Sequence, residues 1–402
     1  MQFKLLQIYK TMSNFSISLI MEFIPFLILG FAMPVYGLGK ALALMFIYWA
    51  LQNLFIVGFS LLFKKLYFKK PQIFLLLRVI PIICCEVCIL FLHTNAIWLI
   101  IIAAMFSAME NSFNFVPIDI IYNYVSEGAD EKTLGITKFL DQLGWFVAGI
   151  VGGLFLDYIP QFVVIAFSLT MFIGSAVPLF IFYFKFKNTP NFNEDFVSYA
   201  VAQEEESEKV KKLKKSFLKK HFLTYFLTGP AADVFYYIAT VLVYIETDSF
   251  FLTGLVNSVY DGIYGVSCLL VGKLLTRVDG KNLTTVTILY LVASTFGMFF
   301  IRNIFVICAL YWLAAVIHPF LNMHLYQDYL DKARILGLGN QILINQNNAS
   351  WLSYACCYLS GTFGLLSIII FSSALSIIGL FVSRHNESAT TKDLVDYLNR
   401  NE

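Results

Sequence analysis

The chain is poor in charge. Of its 402 residues only 13% are Asp, Glu, Lys or Arg, against roughly a quarter in soluble domains. With 59% hydrophobic residues and a mean hydropathy of +0.74, it holds more apolar surface than one core in water can absorb, which excludes an ordinary soluble fold. It also lacks cysteine outside apolar runs. Cys84, Cys85, Cys88, Cys268, Cys308, Cys356 and Cys357 all fall inside such runs, where they act as small packing residues rather than as a disulfide framework. No small-residue cleavage site follows the first apolar run, which is too long for a signal-peptide core, so it is expected to stay in the mature protein. Nucleotide-binding loops, clustered metal ligands and nucleophile motifs are absent from the sequence, and the polar segments are too short to fold a catalytic domain. Neither ATP-driven pumping nor enzyme chemistry is expected, and neither a cofactor nor a nucleic-acid partner.

What is there is apolar length. Runs at 14–36, 41–63, 73–91, 96–121, 134–156, 162–184, 222–245, 250–275, 283–301, 304–325, 337–359 and 363–382 are each about the length that crosses ~30 Å of hydrocarbon as a helix. They show little strict alternation, so helices are expected rather than a lipid-facing barrel. The expected fold is all-α and membrane-embedded, with twelve transmembrane helices joined mostly by short hairpins.

Charge sets the expected orientation. With both termini in the cytoplasm, all 28 Lys and Arg except Lys40, Arg78 and Arg302 lie on or near the inner side, the asymmetry found in membrane proteins. An even number of spans preserves it. The expected location is therefore a multi-pass protein of the cytoplasmic membrane with both ends inside.

One long polar segment divides the chain. It contains Glu204, Glu205 and Glu206, then Lys211, Lys212, Lys214, Lys215, Lys219 and Lys220. Glu205 precedes Lys209 by four residues and Glu208 precedes Lys212 by four, a helix-supporting spacing; Val210, Leu213 and Phe217 add an apolar stripe. The preferred reading is an amphipathic helix on anionic lipid, the alternative a solvated linker. The expected organisation is a six-helix bundle at 1–184, a cytoplasmic linker at 185–221, a second six-helix bundle at 222–383 and a cytoplasmic tail at 384–402. The two bundles echo each other. Pro117 precedes Ile121-Tyr122-Asn123, a charged turn and a helix with Trp145; Pro319 precedes Leu325-Tyr326-Gln327, a charged turn and a helix with Trp351. Spans 1, 4, 7 and 10 hold Pro25 and Pro34, Pro117, Pro230 and Pro319, a recurrence that suggests a repeated three-helix unit.

In these features the sequence resembles the major facilitator superfamily. After the eighth span, Gly272, Leu274, Arg277 and Lys281 agree with that family's cytoplasmic loop motif, while Thr276 replaces its acid. The first-half loop, Lys64 to Lys70, keeps only the basic charge. In the fifth span Gly144, Gly152 and Gly153 match a Gly-rich motif, but Ala148 and Gly149 stand where exchangers have Gly and Pro, so antiport is not implied. Gly149 and Gly153 form a small-xxx-small face that lets helices approach closely, with Gly262 and Gly265 as an expected complement.

Charged groups at the bilayer centre cost about 2.5–3.5 kcal/mol each, so those present need a cavity, a partner or a task. Glu22, Glu86, Glu110, Asp233 and Asp261 lie near the middles of spans 1, 3, 4, 7 and 8. The resemblance implies that spans 1, 4, 7 and 10 line a central cavity, which puts Glu22, Glu110 and Asp233 on a solute path, joined by His318 and Asn322. Carboxylates in such surroundings can take up and release protons; the first choices are Glu110 and Glu22, then Asp233 and Asp261. Structural pairing between helices is the competing role for each. Arg78 is expected to snorkel to the membrane surface, or else to pair with Asp141 or Glu86 as a gate; Arg277 is a further gating residue. Asp157 is expected to need no role. Asn345 stands in an amide-rich stretch suited to solute binding or to helix contacts. Several carboxylates and a single arginine suit a neutral or cationic solute, or protons, with lipid as the surrounding partner. The functional expectation is a secondary transporter of a small solute by alternating access. The alternatives are a transport-inactive sensor or scaffold, and a translocator of lipids or lipophilic compounds.

Overall fold

The computed structural model describes residues 2–92, 97–125, 131–186, 208–275, 280–338 and 341–398. Its helices are α1a (Gln2–Ser18) and α1b (Ile24–Tyr36), α2 (Leu38–Lys69), α3a (Pro71–Leu77) and α3b (Val79–Leu90), α4 (Trp98–Val125), α5 (Glu131–Tyr158), α6 (Gln161–Phe186), α7a (Glu208–Thr228) and α7b (Pro230–Thr247), α8 (Phe250–Leu275), α9 (Gly280–Ile301), α10 (Ile304–Ile335), α11 (Gln341–Gly361) and α12 (Leu365–Leu398). Among the described residues, ten of these, counting each a/b pair once, are long and apolar enough to cross a membrane. The other two, α8 and α11, carry more polar side chains and pack between the halves, α8 against α5 and α11 against α2.

The α5–α8 contact runs almost the whole length of both helices because small residues allow it. Gly149 backs onto Gly254 and Ser258, Gly153 onto Phe250, Gly262 onto Phe146 and Gly265 onto Gln142. The expected small-residue contact is present, but the partner of Gly149 is Gly254, about two helical turns before Gly262. Across a lipid-solvated interface such close backbone approach supplies much of the packing energy. At the end remote from the termini Asp157, expected to be idle, accepts hydrogen bonds from the backbone N–H groups of Phe250 (3.0 Å) and Phe251 (2.9 Å) and from Ser249 Oγ (2.8 Å). A side chain of the first half thus caps the first α8 turn of the second.

Three helices are jointed near mid-span: α3 at Arg78, and α1 and α7. α1 breaks at Leu19 and Ile20 and resumes through a 3₁₀ turn, Met21–Phe23, with Pro25 in the first turn of α1b. α7 bends at Gly229, with Pro230 opening α7b. Proline lacks the N–H that would bond the carbonyl four residues back; that carbonyl, of Phe226, instead accepts a hydrogen bond from Ser353 Oγ of α11. Proline also stands inside α4 at Pro117, α6 at Pro178 and α10 at Pro319, so the recurrence is less strictly threefold than the sequence pattern suggested.

The basic stretch from 208 is the first half of α7, packed on α11 and α12, rather than a separate helix resting on lipid. Phe217 and His221 are buried in it, the Phe217 ring 5.9 Å from Tyr329 of α10. α12 likewise continues past position 383: Asn386 donates to Lys220 O at 3.1 Å and to Thr224 Oγ1 at 3.2 Å. Both boundaries extend beyond the apolar runs because polar residues there pack on neighbouring helices.

Candidate functional site

The joints of α1 and α7 each carry an acid. Glu22 stands in the 3₁₀ turn ahead of α1b, Asp233 in the first turn of α7b. Both acids thus stand at the start of a helical segment, where the helix dipole favours negative charge. The two halves meet between them.

Glu22 Oε2 lies 3.5 Å from Nδ2 of Asn257 on α8, and Asn257 Oδ1 accepts a 2.7 Å hydrogen bond from Tyr311 of α10. The tyrosine hydroxyl therefore fixes which end of the amide faces Glu22. Asp261, one turn further along α8, acts electrostatically on Glu22. Around this pair the rings of Tyr260 and Tyr311 stack at 4.4 Å, and Tyr236 lies 5.3 Å from Tyr260 and 5.8 Å from Tyr311. His318 Nδ1 is 2.7 Å from the Tyr260 hydroxyl.

Asp233 lies beside this group. Its Oδ2 accepts a 2.5 Å bond from Tyr358 of α11, whose ring stacks on Trp49 of α2 at 5.2 Å. Tyr237 joins the two regions, 4.6 Å from Trp49 and 5.2 Å from Tyr236. Glu22, Asp233, Tyr236, Tyr237 and His318 keep partial solvent access, although both halves enclose them. They border an internal space.

On the side remote from the termini this space is covered by aromatic contacts. Phe26 lies 5.3 Å from Tyr244, Tyr244 5.2 Å from Phe250 and Phe23 6.2 Å from Phe250. Gly30 leaves room for the Tyr244 hydroxyl.

Other candidates fall elsewhere. Glu110, a first choice together with Glu22, is sealed within the first bundle by Arg78: Nη2 and Nε lie 2.5 and 2.9 Å from its Oε1. Arg78 does not snorkel; it is 1% exposed, and it also donates to Tyr9 (2.8 Å) and Ser13 (3.0 Å). A planar guanidinium surrounded by three acceptors has no reason to reach the surface. Its partner is thus neither Asp141 nor Glu86. Asp141 binds Lys10 (2.5 Å) and Gln7 (3.0 Å) of α1a, while Glu86 accepts from Ser168 of α6 at 3.1 Å. Asn345 ties α11 to α7a, donating to Leu218 O (2.9 Å) with His221 Nδ1 3.0 Å away. Arg277 lies outside the described residues, and for Asn322 only the place in α10 is described.

Sequence reasoning missed Asn257, Tyr236, Tyr237, Tyr260 and Tyr311. The signal available for Tyr236, Tyr237 and Tyr260 was their place within a turn or so of Asp233 or Asp261, hidden among 22 Tyr and 41 Phe; Asn257 and Tyr311 had none.

A family model described as "Major Facilitator Superfamily" matches residues 82–391. No functionally curated protein matches the chain in sequence. Among solved structures, a bacterial homologue of the iron transporter ferroportin is similar in its outward-facing state with soaked iron, at a TM-score of 0.65 and 9% identity, covering 96% of this chain and 99% of that one. Its inward-facing state is similar at 0.63 and 12% identity, covering 96% and 98%. The human organic anion transporter MFSD10 (TETRAN) follows at 0.58 and 11% identity, covering 94% and 98%. At these identities the likeness is one of fold.

Proposed function

The chain belongs to the major facilitator superfamily, and from that premise we propose that it is a secondary active transporter moving a small neutral or cationic solute by alternating access, coupled to protons. The observation that carries this reading is the contact of Glu22, at the joint of α1, with Asn257 of the other half at 3.5 Å, one helical turn from Asp261. Rocking of the halves makes or breaks such a contact, so occupancy of the acids by protons or solute couples to which side is open.

The charge of the site supports the choice of solute. Among the described residues, the groups around Glu22 and Asp261 include no Lys or Arg, which disfavours the anionic cargo named for MFSD10. Nor do three or more His, Cys, Asp or Glu among the described residues group as metal ligands, which disfavours tight chelation of a metal such as the iron named for the ferroportin homologue. The Lys and Arg distribution supports insertion in the cytoplasmic membrane with both termini inside.

The test is flux in proteoliposomes under an imposed pH gradient. Glu22→Gln abolishes gradient-driven solute flux, while Glu110→Gln changes stability first. Unaltered flux in Glu22→Gln removes the acid pair from the mechanism.

A further inference from the structure

Asp261 presents a problem of charge. It is 8% exposed, and among the described residues no group donates a hydrogen bond to its carboxylate. Its electrostatic neighbours are Glu22, another acid, and the phenols of Tyr236, Tyr237, Tyr260 and Tyr311. Among the described residues other mid-span acids have donors: Glu110 has Arg78, Asp141 has Lys10, the partly exposed Asp233 has Tyr358, and Glu86 has Ser168 on one oxygen, its other oxygen being buried without a partner. A carboxylate withdrawn from water without a partner is strongly disfavoured, so Asp261 is completed either by a proton or by a positive charge that enters the site.

The walls indicate what kind of cation that is. Tyr236, Tyr260 and Tyr311 cluster with centroids 4.4 to 5.8 Å apart; Tyr260 and Tyr311 are buried while Tyr236 and its neighbour Tyr237, which reaches Trp49, keep partial exposure. Ring faces attract weakly hydrated ammonium groups and apolar bodies alike, whereas a small hard metal ion needs several oxygen or nitrogen ligands in a shell. The Glu22 side chain is open to the internal space, and Asn257, held by Tyr311, offers an amide N–H on the same side.

We propose that this compartment binds an organic cation, an ammonium group carried on an apolar or aromatic body, with Asp261 and Glu22 opposing its charge and the Tyr236 and Tyr237 rings, which keep partial exposure, packing its body. The inference rests on the transporter reading only for its consequence, flux; binding is tested without it. A proton on the acid pair is then the competitor of the cation, and the two exchange.

The experiment uses the purified full-length protein and a set of three probes of similar shape: phenyltrimethylammonium, its uncharged isostere tert-butylbenzene, and the anion benzenesulfonate. Calorimetric titration and thermal shift are expected to show binding and stabilisation by phenyltrimethylammonium alone. Asp261→Asn and Glu22→Gln each weaken that binding by about tenfold or more, Tyr236→Leu weakens it by about fivefold, and Tyr236→Phe, which keeps the ring face, leaves it within about twofold. Equal binding of the neutral or anionic isostere, or unchanged cation affinity in Asp261→Asn, overturns the proposal. Because the three-probe comparison is made on the unaltered chain, a variant that fails to fold does not remove the test. Cation binding without flux in proteoliposomes defeats the transporter reading and leaves the site standing; gradient-driven flux of a neutral or anionic solute, with no cation bound, does the reverse.

Discussion

Arg78 and Glu110 form an ion pair sealed inside the first bundle, 1% and 2% exposed at the side chain, with Nη2 and Oε1 2.5 Å apart. Arg78 stands at the joint between α3a and α3b, so the pair fixes that joint to α4 and, through Tyr9 and Ser13, to α1a. Removing one partner strands the other charge. Arg78→Ala is expected to cost about 3–5 kcal/mol, whereas the double replacement Arg78→Met with Glu110→Leu recovers most of it. Thermal unfolding of the purified variants reads both, and a single variant as stable as the parent would contradict the pairing.

The bend of α7 makes a second prediction. Ser353 satisfies the Phe226 carbonyl that Pro230 leaves without its helical donor. Ser353→Ala should destabilise by about 1–3 kcal/mol in the parent. In a Pro230→Ala background, where the helix N–H returns, the same change should cost much less. A double-mutant cycle measures the difference; equal costs in the two backgrounds would separate Ser353 from the bend.

At the α5–α8 contact a methyl group is enough to interfere. A Cβ on Gly254 would press into the Gly149 carbonyl, so Gly254→Ala should destabilise by about 1–3 kcal/mol and slow flux together. By contrast Gly174, also helical, has open space within 4 Å of where an added methyl group would sit. Gly174→Ala should be neutral or stabilise by up to about 1 kcal/mol. Unfolding midpoints of the two variants are compared directly.

The cap supplied by Asp157 is measurable at single amides. Asp157→Ala frees the N–H groups of Phe250 and Phe251 and costs about 1 kcal/mol. Hydrogen exchange in a peptide covering 248–254 should speed up, with exchange in α12 unchanged. No change at 248–254 would mean that the cap carries no stability.

Several features were legible in the sequence because they rest on local chemistry. Apolar runs of membrane-spanning length identify helices without any partner. Gly149 and Gly153 announced a close helix contact, and Pro230 a bend, since a missing side chain or a missing N–H acts wherever the residue lies. Mid-span acids were likewise visible as costly and in need of a task. Which task was not visible: Glu22, Asp261, Glu110 and Glu86 look alike along the chain, and nothing local separates Glu22 from Glu110, which share first place.

Their roles depend on groups far away in sequence. Glu110 is separated from Arg78 by 32 positions and Asp141 from Lys10 by 131, and both are paired. Glu22 and Asn257 are 235 positions apart, on opposite halves, and the tyrosines that wall the compartment come from α7, α8 and α10. The extent of α7 and α12 was hidden for the same reason: Lys220 and Asn386 read as soluble residues until their helices pack.

The sequence by itself determined that the chain is a bundle of membrane helices in two halves with acids at mid-span, because hydrophobic length and the cost of buried charge are properties of a single segment. Only the tertiary structure decided which acids are neutralised by a neighbour and which, Asp261 foremost, are left facing an aromatic space between the halves. The physical reason is that a charge in a low-dielectric interior is governed by what lies within a few ångströms of it, and in this chain those neighbours arrive from other helices.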